Sequence, residues 1–134
     1  MGQAEWLVES SSFLAKAASI RMAREFVRGH LLRHDLEHLV DDVELVVSEL
    51  ATNVMIHART PFTVTLTGMS DGSVLLTVSD GSPRRPTHTA ASALDTMGRG
   101  LSIVDQVSSA WGVTAADAPH VKCIWASFLD TPER

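Results

Sequence analysis

Residues 49–57 are Glu49-Leu50-Ala51-Thr52-Asn53-Val54-Met55-Ile56-His57, an apolar segment interrupted by a polar side chain every four residues. On a helix, residues four apart share one face, so Glu49, Asn53 and His57 are expected to lie side by side. The other positions of this segment are typical of a core. A polar stripe on such a helix indicates that the stripe lines a site.

The same segment ends the longest helical pattern of the chain. Apolar residues recur at helical spacing from Leu36 to about His57, which predicts one long helix. An earlier amphipathic helix is expected to begin near Ser19, a plausible N-cap, and to end at a break around His34-Asp35. Before it, Trp6–Val8 predicts a short strand, followed by the polar run Ser10-Ser11-Ser12.

Strand patterns fill the second half of the chain. Phe62–Thr67 alternates apolar and polar residues, Asp71-Gly72 favours a tight turn, and Ser73–Ser79 forms the returning strand of a hairpin. Residues 82–97 are rich in Pro, Ser, Thr and Arg without periodicity, which predicts a mobile surface loop.

A third helix is expected from Gly100 to about Ser108, followed by two closing strands over Trp111–Thr114 and Val121–Leu129. Helices thus precede most strands instead of alternating with them. The order predicts an α+β fold, a two-layer sandwich in a single domain over 1–134 with its core at about 19–129.

Composition narrows the functional class. The chain has 134 residues, of which 45% are hydrophobic and 20% charged, with a net charge of -5, as in an ordinary globular domain. This acidic balance disfavours direct nucleic-acid binding, and no apolar stretch is long enough for a membrane span. A single cysteine, Cys123, and the absence of a leader pattern over Met1–Ser12 predict a cytoplasmic protein.

Two glycine motifs suggest a nucleotide. Gly98-Arg99-Gly100 directly precedes the third helix, whose first N–H groups and positive dipole end favour a phosphate. Asp80-Gly81 closes a strand, where the carboxylate could accept a hydrogen bond from an exocyclic amine such as that of adenine. The alternative for Asp80-Gly81 is an ordinary turn. The alternative for Gly98-Arg99-Gly100 is a tight turn from loop to helix without a ligand.

On the long helix, the carboxamide oxygen of Asn53 is a suitable ligand for magnesium, and Glu49 could act as a general base. His57 is expected to cap the last carbonyls of the helix. His30, His34 and His38 are also four apart, but the helix is expected to break among them, so solvent-exposed histidines are favoured over a zinc site. Trp111 and Trp125 are assigned to the core, and Cys123 is expected to be inert.

Taken in order, four boxes of sequence resemble the anti-sigma-factor serine kinases and their bacterial relatives. The boxes are Glu49-Leu-Ala-Thr-Asn53, Val78-Ser-Asp80-Gly81, Gly98-Arg-Gly100-Leu101, and Trp111-Gly112 with Lys122-Cys-Ile-Trp125. These kinases share the ATP-binding fold of gyrase, heat-shock chaperones and histidine kinases, a mixed, mainly antiparallel sheet covered on one face by helices.

The resemblance implies that ATP and Mg²⁺ are held between the second helix and the loop at 82–97. By position, Asn53 resembles the magnesium ligand and Glu49 the catalytic carboxylate. Asp80 with Gly81 resembles the adenine box. The phosphate loop would comprise Gly98, Arg99, Gly100 and Leu101. Cys123 stands where relatives often carry a threonine near the nucleotide.

The family's partners would be an anti-anti-sigma protein, phosphorylated on serine, and a sigma factor that is sequestered. Alternatives are a module that binds ATP and partners without turnover, and a detached histidine-kinase catalytic domain. A homodimer through the first helix or a free sheet edge is also compatible with the sequence.

Overall fold

The computed structural model describes residues 5–81, 99–114 and 122–129. In these ranges the chain forms five strands, three α-helices and one π-helical turn. Their order is β1 (Glu5–Phe13), α1 (Ala17–Arg33), α2 (Glu37–Asn53), the π-helical turn (Val54–Ala58), β2 (Phe62–Met69), β3 (Val74–Asp80), α3 (Arg99–Val107), β4 (Ala110–Thr114) and β5 (Lys122–Phe128).

The five strands form one sheet in the order β1-β2-β3-β5-β4, and every pairing between them is antiparallel. Alternate residues of β2, β3 and β5 are buried, so one face of the sheet is covered and the other is open. The α2 helix packs on β3 and β5 and also contacts α3. The predicted α+β sandwich, with helices on one face, is confirmed.

The core lies between the helical layer and the covered face of the sheet. Helix α1 contributes Ala23, Val27 and Leu31, which recur at helical spacing and are fully buried. Helix α2 contributes a wider stripe: Leu39, Val40, Val43, Val46, Val47, Leu50 and Ala51. Because α2 is buried against both the sheet and α1, side chains near its C-terminal end lie in the interior of the protein.

The first strand is longer than predicted. It continues through the serine run to Phe13, and Ser10 and Ser12 donate or accept hydrogen bonds with Thr65 and Thr63 of β2 at 2.8 and 2.9 Å. These hydroxyls face the open side of the sheet, where polar residues are compatible with a strand. The predicted strand at Trp6–Val8 is therefore the first part of a longer one.

Both long helices also begin and end differently from the sequence prediction. Helix α1 starts at Ala17, so Ser19 is not its N-cap but a buried residue on the same face as Ala23. Helix α2 ends at Asn53 and continues as the π-helical turn, closed by a 2.7 Å hydrogen bond from the Arg59 N–H to the carbonyl of Val54. Arg59 adopts φ 57°, a left-handed conformation that ends the helical structure.

The remaining elements agree with the sequence. The hairpin of β2 and β3 is confirmed, with the Asp71 carboxylate accepting hydrogen bonds from the N–H and hydroxyl of Ser73. Helix α3 and the closing strands β4 and β5 also occur where expected. In the described ranges, no helix combines the length and the apolar character needed to cross a bilayer. The predicted loop at 82–97 lies outside the described residues.

Candidate functional site

The covered face of the sheet carries an unexpected pair of charges at one end. Asp80 is the last residue of β3 and lies directly opposite Lys122, the first residue of β5. Their side chains are only 2% and 10% exposed, and the Lys122 Nζ atom lies 3.8 Å from Asp80 Oδ2. The same face is otherwise apolar, with Val78 and Ile124 next along the two strands.

Asp80 is therefore not part of a solvated turn, which was the alternative interpretation of the Asp80-Gly81 pair. Moving a charged group out of water costs several kcal/mol unless partners compensate for it. Buried carboxylates are uncommon in proteins, and functional sites are among the places where they occur. The burial of Asp80 therefore makes it a candidate for a functional role.

A hydrogen bond connects this strand end to the segment that follows α2. The Gly81 N–H donates to Thr60 Oγ1 at 2.9 Å, and the side chain of Thr60 lies against the Gly81 Cα, where a Cβ would be 3.7 Å from it. Thr60 lies two residues before Phe62, the first residue of β2, which pairs with Asp80. The end of β3 and the turn after α2 are thus fastened to each other.

Asn53, the last residue of α2, is 6% exposed. Its Nδ2 atom is buried and has no hydrogen-bond partner among the residues that the structure describes. An unpaired buried amide costs about 1–3 kcal/mol, so it persists at sites where another group supplies the partner. The amide oxygen and nitrogen exchange places by a half-turn of the side chain, so the unpaired position can equally present Oδ1.

One turn earlier on α2, Glu49 is half-buried on the same face. Its carboxylate forms no ion pair with a residue of the described ranges, in contrast to Glu44, which lies 3.6 Å from Arg24 and 3.3 Å from Arg28. An unpaired carboxylate next to a buried amide can accept a proton or bind a cation. Two of the three residues of the predicted polar stripe, Glu49 and Asn53, therefore lie on one face of α2.

His57 does not cap the helix as expected. The π-helical turn is closed by the backbone of Arg59, and the imidazole forms no hydrogen bond with any described residue. The π-helical turn changes the angular spacing between side chains after Asn53, so His57 does not continue the face of Glu49 and Asn53 as it would on a regular helix. No role in the site is assigned to it.

The glycine motif before α3 is described only in part. Gly98 lies outside the described residues, whereas Arg99 and Gly100 are the first two residues of α3, as the sequence predicted for a helix start. Leu101 is fully buried in the core. Its side chain thus anchors the first turn of α3, and only its backbone is available to a ligand.

On β5, Cys123 and its neighbour Lys122 face opposite sides of the sheet. The strand alternates buried and half-buried residues, and Cys123 and Trp125 lie on the open face, away from Asp80. The residue that shares the covered face with Asp80 is Lys122. The sequence contained a signal for this, since a lysine that alternates with Ile124 and Ala126 falls on an apolar face of the strand.

Of the two tryptophans assigned to the core, Trp111 packs against it and Trp125 does not. Trp125 is half-buried on the open face and lies against Gly112 of β4, where a Cβ would be 2.8 Å from the indole nitrogen. Trp111 is also half-buried, and its indole N–H donates to Asp105 at 2.8 Å. Trp111 pairs with Ala126 on the covered face and packs against the core, whereas Trp125 faces the open side of the sheet.

The three histidines around the end of α1 form separate contacts. His30 Nδ1 lies 3.0 Å from an Arg33 nitrogen and its ring packs edge-on against Phe26, while His34 Nδ1 lies 2.9 Å from the backbone carbonyl of His30. Among the residues that the structure describes, no three His, Cys, Asp or Glu side chains are grouped to hold a metal ion.

An open groove of about 350 Å³ lies on the outer surface of the helices, between Arg24 of α1 and residues of α2. The buried polar groups at the end of α2 do not line it. The lining residues on α2 are Asp41, Glu44, Leu45 and Ser48. The groove is the alternative location for a ligand.

Comparison with known proteins gives one match. A family model described as histidine kinase-like ATPase domain matches residues 13–128, which include eight of the nine described elements in full and the last residue of β1, Phe13. No curated protein matches the chain.

Proposed function

The chain belongs to the histidine kinase-like ATPase domain family, and from this membership we propose that it is a regulatory protein that binds ATP with Mg²⁺ where α2 ends. The observation that carries the proposal is the buried Asn53 amide, whose Nδ2 lacks a partner among the described residues. It lies one turn after a half-buried, unpaired carboxylate, Glu49.

These residues fit the groups that the family implies. A carboxamide oxygen is a good ligand for magnesium, which is otherwise held mainly by phosphates and water. Asn53 is the proposed metal ligand, and Asp80, held by Lys122 and followed by Gly81, is the proposed acceptor for the adenine amine. The phosphates would lie at the start of α3, near Gly98, Arg99 and Gly100, with the backbone of Leu101.

We further propose that the protein is a serine/threonine kinase. Glu49 is the proposed general base, which takes the proton of a serine hydroxyl on a partner protein. When bound, magnesium would neutralise negative charge on the phosphates. The absence of an ion pair at Glu49 among the described residues supports this role, because a carboxylate held by cations, as Glu44 is by Arg24 and Arg28, is less available to a hydroxyl of a partner protein.

The proposed partners follow from the resemblance of the four sequence boxes to anti-sigma-factor serine kinases. The phosphorylated partner would be an anti-anti-sigma protein, and the sequestered partner a sigma factor. The net charge of -5 supports protein partners over nucleic acid. A homodimer and a cytoplasmic location remain part of the proposal.

Titration calorimetry with Mg-ATP tests nucleotide binding. A second assay, transfer of labelled phosphate to a candidate anti-anti-sigma protein, tests kinase activity separately. Binding with transfer to serine supports the kinase. Binding without transfer supports the alternative, a module that holds ATP and acts by partner binding alone. Acid-labile label would indicate transfer to histidine. Absence of Mg-ATP binding would contradict the proposed function as a whole.

A further inference from the structure

The ion pair at the end of the sheet contains one of the two lysines of the chain. Lys16, the other lysine, precedes α1 and is exposed. Lys122 instead begins β5 on the covered face, with its side chain 10% exposed and opposite Asp80. Lysines are almost never fully buried unless they are paired, and the partner of Lys122 is Asp80.

The geometry of the pair leaves the ammonium group incompletely satisfied. The 3.8 Å between Nζ and Oδ2 is an ionic contact but is too long for a hydrogen bond. An ammonium group has three N–H donors, and none of them forms a hydrogen bond with a residue of the described ranges. Because the Lys122 side chain is only 10% exposed, its N–H donors have limited access to water, and an acceptor on a ligand would complete them.

Resting on the proposed function, we propose that Lys122 is a specificity-determining residue that recognises the base together with Asp80. The carboxylate accepts an N–H of the exocyclic amine of adenine, and the Lys122 ammonium donates to a ring nitrogen beside that amine. Adenine presents this combination of a donor flanked by acceptors along one edge. A carboxylate and an ammonium side by side are complementary to it.

The surroundings support this assignment. The neighbouring Cys123 lies on the opposite face of β5, so Lys122 is the side chain of this strand end that shares a face with Asp80. The Thr60 hydroxyl already accepts from the Gly81 N–H. Because Asp80 has about four lone-pair sites, it can keep its ionic contact with Lys122 while accepting from a base.

The first test uses the unaltered protein with ATP, 1-deaza-ATP and 7-deaza-ATP, each titrated in the presence of Mg²⁺ by calorimetry. Each analogue lacks one ring nitrogen next to the amine. We expect one of them to bind about 10-fold or more weakly than ATP, since a hydrogen bond from a charged donor is lost. Equal binding of ATP and both analogues would overturn the assignment of Lys122 while leaving the proposed function intact.

The second test compares Lys122→Met with Lys16→Met, the same substitution at the exposed lysine. We expect Lys122→Met to bind ATP about 10-fold or more weakly and to lose the discrimination between ATP and the deaza analogue, whereas Lys16→Met behaves as the unaltered protein. If Lys122→Met fails to fold because Asp80 is left unpaired, the analogue titrations still decide the question.

Guanine offers a different fit, with two N–H donors for Asp80 and one carbonyl acceptor for Lys122. Tighter binding of GTP than of ATP would therefore overturn the assignment to adenine. Failure of the unaltered protein to bind any of these nucleotides would overturn the proposed function, and the role of Lys122 with it.

Discussion

The Lys122 ammonium lies 3.8 Å from the Asp80 carboxylate, across the pairing of β5 with β3, and both side chains are buried beneath the helical layer. A buried ion pair is weak support for stability, because the cost of removing both charges from water offsets their attraction. Its position beside the Gly81–Thr60 hydrogen bond places it where the turn after α2 meets the sheet. We therefore relate the pair to ligand recognition.

Selective acylation distinguishes the two lysines. Lys16 is exposed and Lys122 is 10% exposed, so an amine-reactive reagent should modify Lys16 several-fold faster than Lys122. Mg-ATP should slow modification of Lys122 further and leave Lys16 unchanged. Mass spectrometry of peptides after a short reaction measures both rates. If saturating Mg-ATP did not slow the modification of Lys122, a nucleotide at this strand end would be contradicted.

Replacement of Asn53 by Leu should separate stability from binding. Asn53→Leu removes an amide whose Nδ2 is buried without a described partner and keeps a similar volume, so the free energy of unfolding should rise by about 1–2 kcal/mol. Binding of Mg-ATP should fall at least 10-fold because the metal ligand is lost. Urea denaturation and calorimetry measure the two effects.

Ser48→Ala is the control for Asn53→Leu, because Ser48 lies on the same helix but lines the outer groove. It should leave Mg-ATP binding unchanged. If Asn53→Leu lowered stability while Mg-ATP binding stayed at its original strength, Asn53 would be a structural residue with no part in the site.

Glu49→Gln tests the proposed base. The amide keeps the shape of the side chain but cannot accept the hydroxyl proton, so phosphate transfer to the partner should fall about 100-fold or more while Mg-ATP still binds. Glu37→Gln, an exposed change in the first turn of the same helix, should transfer at the original rate. Equal rates for the two variants, followed with labelled ATP, would remove Glu49 from the reaction.

The sequence predicted the hairpin and the long second helix because their signals are local. Asp71-Gly72 favours the turn that the structure contains, and the apolar stripe of α2 makes its burial unavoidable. The family resemblance then predicted that the end of that helix is part of a site. For these elements, neighbouring residues along the chain carried enough information.

Features that depend on contacts between distant residues could not be predicted in the same way. The serines of β1 belong to a strand because Thr63 and Thr65 of β2 pair with them. The importance of Lys122 depends on the register that sets it opposite Asp80. That register places Lys122, and not its neighbour Cys123, on the face of Asp80, because a shift of one residue on a strand exchanges the two faces.

The contribution of His30 to the free energy of unfolding should depend on pH, and its sign follows from the surroundings of the imidazole. Burial lowers the pKa of His30 below its usual value of 6.5, and Arg33 and His34 act in the same direction, while the Glu9 carboxylate 3.9 Å away opposes them. The folded state therefore binds the proton less well than the unfolded state. This contribution to stability is complete above pH 6.5 and is lost as the pH falls through the folded-state pKa.

Imidazole NMR signals followed against pH should give His30 a pKa below 6.5, and His30→Gln should remove that part of the decrease in stability between neutral and mildly acid pH. Parallel urea titrations of both proteins measure the decrease. A His30 pKa above 6.5 would mean that the ion pair with Glu9 outweighs burial, and the stability of the unaltered protein would then rise on acidification.

The central claim, a Mg-nucleotide bound between the end of α2 and the strand end at Asp80, is tested most directly by NMR of the ¹⁵N-labelled protein titrated with Mg-ATP. We predict the largest shifts at the Asn53 side-chain amide, the Gly81 N–H and the Lys122 N–H, saturating together. Shifts confined to the outer groove at Arg24 and Ser48, or no shifts at saturating Mg-ATP, would contradict the claim.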